Sequence, residues 1–330
     1  MPAIQTEGGK VSIKSKYIDG SLRFRNISYE ESEVYLEAEE VISYIPHSIN
    51  NKKAVIKCKT FKSHTNSQEG ADINIGVERD INENQNSLPP GSTTYVTLET
   101  DRVGKLGVHG GNVDLNINTV RDLVLDRCKV RGYINYIGER NKDSSYNFTS
   151  FYIGKGSVWE RTVDENIDIN LTFNEVWGAI EVRDRIEGKI LLKGNRIRGI
   201  RHDSKTEVYL DVQKIEATTQ GPQVYYSVGL ESYNTMNAKG AVTVSNAYIK
   251  NRYDSGPPIY ISNAGYKKLT LNNCIICNKS TYAEGVNAIK ASAANSNVYV
   301  LGTVVSNSPL DNNINIKWGT FIQDTSLCVD

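Results

Sequence analysis

The sequence predicts an all-β chain, a right-handed parallel β-helix with loop insertions and a C-terminal cap. Three observations predict it. An eleven-residue line recurs, as AVTVSNAYIKN from Ala241, KLTLNNCIICN from Lys268 and NVYVLGTVVSN from Asn297. The sixth residue of the line is often a type that tolerates tight corners, and segments with helical periodicity are scarce.

The line places aliphatic residues at positions 2, 4 and 9. Strict matches also start at Glu33, Tyr95, Asn112, Asp122, Asp168, Lys189 and Glu207, which makes ten where chance would supply roughly four. The blocks from Asn112 and Asp122 overlap by one residue, so at most one of them is a register-true copy. Positions 2 and 4 are inward residues of a strand, and position 9 points inward again only if the chain bends between them. Position 6 is the natural bend. It is Gly194, Asn246, Asn273 and Gly302 in four blocks, residues that adopt left-handed backbone angles. Strand, one-residue corner, strand is how a parallel β-helix turns between two of its sheets. From Asp168 onward the blocks start at 168, 189, 207, 241, 268 and 297, spacing that suits one coil per repeat with loops of varying length. In the line from Ala241 the predicted inward residues are Val242, Val244 and Ile249, with Asn246 at the corner. A β-sandwich also carries many short alternating strands, but it does not need one strand-corner-strand phrase at each turn. EESEVYLEAEEV admits an amphipathic-helix reading, yet its match to EVYLDVQKIEA argues for a strand pair.

The organisation follows in order. Residues 1–92 are an N-terminal β-rich segment, either early coils or a docking part, and their polar stretch 64–92 ends in Pro89-Pro90, a long loop or a boundary. The coils occupy 93–307, interrupted by excursions at roughly 139–166 and 218–239. Residues 308–330 read as the cap, because an open end would bare a strand edge and apolar rungs.

Composition excludes several classes. Lys+Arg and Asp+Glu both count 38, so no net field draws in nucleic acid, and no window approaches a membrane span, so no membrane insertion is expected. The start of the sequence lacks the apolar run of a signal peptide, and five scattered cysteines, an odd number, point to reduced thiols in a cytoplasm.

Chemistry-bearing motifs are sparse. There is no Walker loop, dinucleotide fingerprint, nucleophile elbow or zinc pattern, so no cofactor and no metal are expected. Cys274 and Cys277 form a CxxC, which reads more simply as stacked, buried thiols, since Cys274 and Cys128 share position 7 of their blocks. His47, His64, His109 and His202 have no ligand spacing, and His202-Asp203 reads as a solvated loop rather than a proton-transfer pair. Stacked coils bring carboxylates within the roughly 5–10 Å that glycoside hydrolysis uses; the candidates are Asp164, Glu165, Glu181, Asp184 and Glu187. Against them, position 1 alternates in sign through Asp168, Lys189 and Glu207, and position 5 through Lys193 and Asp211, the pattern of a salt-bridged outer face. The excursions carry Tyr146, Phe148, Phe151, Tyr152 and Trp159, then Tyr225, Tyr226 and Tyr233. These aromatics suit stacking on sugar rings or a subunit interface; the alternative is that each loop packs them on the coil beneath.

The repeated lines, their Asn/Gly corners and the ending VYVLGTVVSNSPLDNNINIKWGTFIQDTSLCVD resemble the β-helical tail-fibre, tailspike and head-fibre proteins of tailed bacteriophages. The resemblance covers about the C-terminal two-thirds of the chain. It implies a homotrimer of β-helices, an N-terminal part that docks onto other virion proteins, attachment to the host surface, possible contact with host surface polysaccharide, and assembly of the virion in the host bacterial cytoplasm. No coiled coil or recognisable trimerisation domain follows the coils, a departure that bears on the trimer. Two functions stand as expectations: a non-enzymatic fibre- or spike-type virion protein, preferred because no carboxylate cluster rises above the salt-ladder pattern, and a polysaccharide depolymerase, a glycosidase or lyase using two of the acids above.

Overall fold

A computed structural model describes residues 2–6, 8–25, 32–65, 70–76, 95–139, 149–154, 165–184, 186–217, 230–232, 240–251, 256–261, 268–280 and 286–328. The described residues form an all-β chain of parallel strands, with no helix among them. It divides into two compact units. The first comprises Met1–Gly138, Ser157–Arg161 and Asn166–Thr172, the second Glu139–Gly156, Thr162–Glu165 and Phe173–Asp330.

The strands of the first unit are β1 (Pro2–Thr6), β2 (Gly9–Asp19), β3 (Ser21–Arg25), β4 (Ser32–Ser43), β5 (His47–Asn50), β6 (Lys53–Ser63), β7 (Ile73–Gly76) and β8 (Tyr95–Ile137). β1 to β6 each pair with the strand after next, and β7 pairs with a later part of β8. β2, β4, β6 and the start of β8 form one ladder, through Lys10↔Glu33, Glu33↔Lys53 and Lys53↔Tyr95. β1, β3, β5, β7 and a later part of β8 form the other. Both ladders thus join described residues on either side of position 92, β6 and β7 to β8. Inside β8 the repeat is 17 residues: Asn118 Nδ2 donates to Asp101 Oδ1 (2.7 Å) and Asn135 Nδ2 to Asn118 Oδ1 (2.8 Å). That spacing makes the block from Asn112 the copy of the block from Tyr95, and the overlapping block from Asp122 falls out of register.

β10 (Glu165–Val176) is divided between the units: Asn166–Thr172 belong to the first, Glu165 and the residues from Phe173 onward to the second. The second unit also contains β9 (Thr149–Ile153), β11 (Ala179–Asp184), β12 (Ile186–Ile197), β13 (Ile200–Ser204), β14 (Glu207–Ala217), β15 (Leu230–Ser232), β16 (Ala241–Ser245), β17 (Tyr248–Asn251), β18 (Ile259–Ile261), β19 (Lys268–Asn272), β20 (Ile275–Cys277), β21 (Ile289–Ala291), β22 (Ser296–Ser306) and β23 (Ile314–Gln323). One ladder runs β12, β14, β16, β19, β22, β23. A second branches from β14 through β17 and β20 to the later half of β22. A third runs β9, β11, β13, β15, β18, β21. The stretch expected to act as a cap thus contributes one more ladder strand, β23.

The core is built from the positions the line predicts. Val242, Val244 and Ile249 are 6%, 0% and 0% exposed, and the aliphatic residues of the other blocks are buried as well, except Val305. Each such side chain contributes about 1.5–3 kcal/mol by leaving water. Val305 fails because its corner is longer by one residue: it pairs with Ile275, and Val304 and Ser306 turn inward on either side of it. The corners behave as the residue types require at three of the four positions: Asn246, Asn273 and Gly302 have φ of 58°, 49° and 74°. Gly194 has no left-handed φ; it is glycine because a Cβ there would overlap the ring of Phe173.

Candidate functional site

The outer faces of the ladders carry matched charge. Lys14 pairs with Glu37 (2.9 Å) and Lys57 with Glu99 (3.5 Å), with Glu37 in register between Lys14 and Lys57. The Lys14–Glu37 hydrogen bond raises the pKa of the lysine and lowers that of the glutamate. Lys193 and Asp211 pair likewise at 3.8 Å. Of the predicted carboxylates, Glu181 lies 3.6 Å from Arg201 Nη1 and Glu187 3.2 Å from Lys205 Nζ, so each has its own cation. Glu165 and Asp184 sit in β10 and β11; their side chains, and Asp164 altogether, lie outside the described residues.

The predicted aromatic contacts separate in the same way. Phe151 is fully buried and Tyr152 half-buried, side by side in β9. Phe151 therefore presents no ring to a partner: its place in the period-2 strand opposite Ile180 turns it into the core. Tyr146, Phe148, Trp159, Tyr225, Tyr226 and Tyr233 fall outside the described residues.

Buried polar groups change two readings. His202 is not in a solvated loop: it is fully buried in β13, with Nε2 3.2 Å from Ser204 Oγ and 3.2 Å from Thr206 Oγ1. Its strand register, opposite Val182, points the ring inward. His47 is also fully buried; the Leu22 N–H donates to its Nδ1 (3.0 Å), and burial lowers its pKa to about 4. The cysteines are not all reduced. Cys277 and Cys328 form a disulfide across 51 residues, with Cα atoms 5.8 Å apart, a pairing that sequence spacing conceals. Cys58, Cys128 and Cys274 are buried free thiols. Burial pushes Cys58 up to about 12 and raises the other two, so none is poised as a nucleophile. No cluster of metal-ligating side chains occurs among the described residues.

A ladder of asparagines was overlooked in the repeated line itself, whose eleventh residue is Asn251, Asn278 and Asn307. Asn251 Nδ2 donates to Asn278 Oδ1 (2.7 Å), Lys279 N–H donates to Asn251 Oδ1 (2.6 Å), and Asn307 Nδ2 donates to the Asn278 carbonyl (2.8 Å). These bonds satisfy the polar backbone of three successive turns and leave no open valence for chemistry.

One arrangement is not explained by packing. β22 and β23 pair Val300 with Trp318 and resume at Thr303 with Thr320, so the corner of β23 is one residue shorter. Its left-handed residue is Trp318, φ 80°, whereas the three preceding repeated lines turn at Asn246, Asn273 and Gly302. A bulky residue in this conformation costs about 1–2 kcal/mol. The turn swings the indole out of the inward slot that Val300 fills. Trp318 is 68% exposed, its ring centroid 4.6 Å from that of Tyr299. Lys268 Nζ lies 4.7 Å from the Tyr299 centroid and 5.0 Å from the Trp318 centroid. An exposed aromatic platform with an ammonium over it is suited to hold a flat apolar surface that carries negative charge. Sequence reasoning missed it because the signal, a tryptophan at a corner, needs the residue count of the corner to be known.

Comparison of the chain with protein-family models, with curated proteins and with solved structures found no match.

Proposed function

We propose that the ladders wind as a right-handed parallel β-helix and that the chain is a bacteriophage virion protein of fibre or spike type. It acts as a homotrimer, docks onto other virion proteins through its N-terminal part, and serves host-surface attachment or stiff spacing. The observation that carries this reading is the register: strands of the second unit pair in parallel with the strand two or three places on, keep the same residue types inward, and turn at Asn246, Asn273 and Gly302. Ion-paired outer faces support a scaffold rather than a reaction centre, since each describable predicted acid has a cation beside it. The disulfide is compatible with a virion exterior, where thiols meet oxidising surroundings after release from the cytoplasm.

The experiment is light scattering on the purified chain together with adsorption of the labelled protein to susceptible bacterial cells. The reading expects three times the 36.7 kDa chain mass and saturable adsorption. A monomer that does not adsorb refutes it. Release of oligosaccharide from host capsule, lost when Glu181 or Glu187 is changed to Gln, would replace it with the depolymerase.

A further inference from the structure

The corner at Trp318 retains a strained aromatic residue where Asn246, Asn273 and Gly302 satisfy the same conformation without strain. The row that contains Lys268 continues with Asn297 and Asn315, and the row that contains Tyr299 continues with Lys317. Neither Lys268 nor Lys317 has a carboxylate partner among the described residues, whereas Lys14, Lys57 and Lys193 each do. An exposed ring platform therefore occurs together with two ammonium groups that have no carboxylate partner among the described residues.

We infer that Trp318, Tyr299 and Lys268 form a binding site for an acidic sugar, a pyranose carrying a carboxylate. The apolar face of the pyranose lies on the exposed indole, where C–H groups meet the negative face of the ring. The carboxylate reaches Lys268, a charge-assisted contact, and Lys317 adds to the local positive charge. A neutral sugar leaves that charge uncompensated. A nucleic acid would need a basic track, and the chain has equal numbers of basic and acidic residues. The inference rests on the attachment reading and gives its ligand a chemical class.

The test is isothermal titration calorimetry of the full chain at low salt with tetragalacturonate and a hyaluronan tetrasaccharide, against maltotetraose and a thymidine oligonucleotide. At least one acidic saccharide binds about tenfold or more tighter than maltotetraose, and Trp318→Gly and Lys268→Gln each weaken it about tenfold or more. Glycine is at ease at the left-handed corner, so Trp318→Gly keeps or raises the thermal midpoint, which separates lost binding from lost structure. The inference is overturned if neither acidic saccharide saturates, if maltotetraose or the oligonucleotide binds as tightly, or if both variants bind like the parent. Cell adsorption is measured alongside. Adsorption without saccharide binding overturns this site alone, and saccharide binding without adsorption overturns the attachment reading alone.

Discussion

Acidification should destabilise the first unit through His47, by an amount the structure sets. The ring is fully buried, and its Nδ1 accepts the Leu22 N–H, so the folded state holds it neutral. No polar partner for Nε2 occurs among the described residues, and the ring instead meets Phe61 edge-on at 5.1 Å. Its pKa is about 4 in the fold against 6.5 for a free histidine. Above pH 6.5 the group is neutral in both states and contributes no pH dependence. As the pH falls from 6.5 to 4 the unfolded chain takes up the proton and the fold does not. Stability therefore drops by about 1.4 kcal/mol per pH unit, roughly 3 kcal/mol in total, and levels off below pH 4. His47→Asn keeps an acceptor near Nδ1 and removes the titration. Urea unfolding followed by circular dichroism at pH 7, 5.5 and 4 should show the stability difference between parent and variant shifting by about 3 kcal/mol in favour of the variant. Carboxylates that titrate in the same window are common to both proteins and cancel. Parallel pH profiles would refute the reasoning.

Three further outcomes are expected. Reduction, or Cys328→Ser, should lower the stability of the second unit by about 4 kcal/mol, the loop entropy for a 51-residue separation; an unchanged urea midpoint would exclude the disulfide. Asn278→Ala removes the Oδ1 that accepts from Asn251 Nδ2 and the Ser280 N–H and the Nδ2 that donates to the Asn287 carbonyl, at a cost of about 1–3 kcal/mol measured by chemical denaturation. Loss of less than a few tenths would show that the asparagine ladder is not formed. Gly194→Ala drives a methyl into Phe173 and should cost about 1–3 kcal/mol, recovered in part by adding Phe173→Leu; a neutral Gly194→Ala would mean that the ring is elsewhere.

The rungs were legible because period-2 alternation and a corner residue leave few ways to place Val242, Val244 and Ile249. Lengths of corners were not legible, and the single residue inserted before Val305 turns its side chain away from the core. Gly194 was the right residue for a different reason, a neighbouring ring rather than a backbone angle. His202 was misplaced because sequence shows polarity, whereas the strand opposite Val182 decides which way the ring points. Of the candidate sites, the carboxylates were legible as residues but not as pairs, since their cations Arg201 and Lys205 come from the next turn. The asparagine ladder stood in the repeated line at its last position and was passed over because satisfaction of backbone groups is visible only in three dimensions. Trp318 became visible only when the register set it opposite Val300 and its backbone took the left-handed conformation found at Asn246 and Asn273.

The stacked lines are proposed to build part of a virion. Mass spectrometry of phage particles purified from the bacterial culture that carries the gene tests it most directly. A virion role places this chain among the particle proteins, at a copy number that is a multiple of three. Abundant chain in the lysate with none in the particles would contradict it.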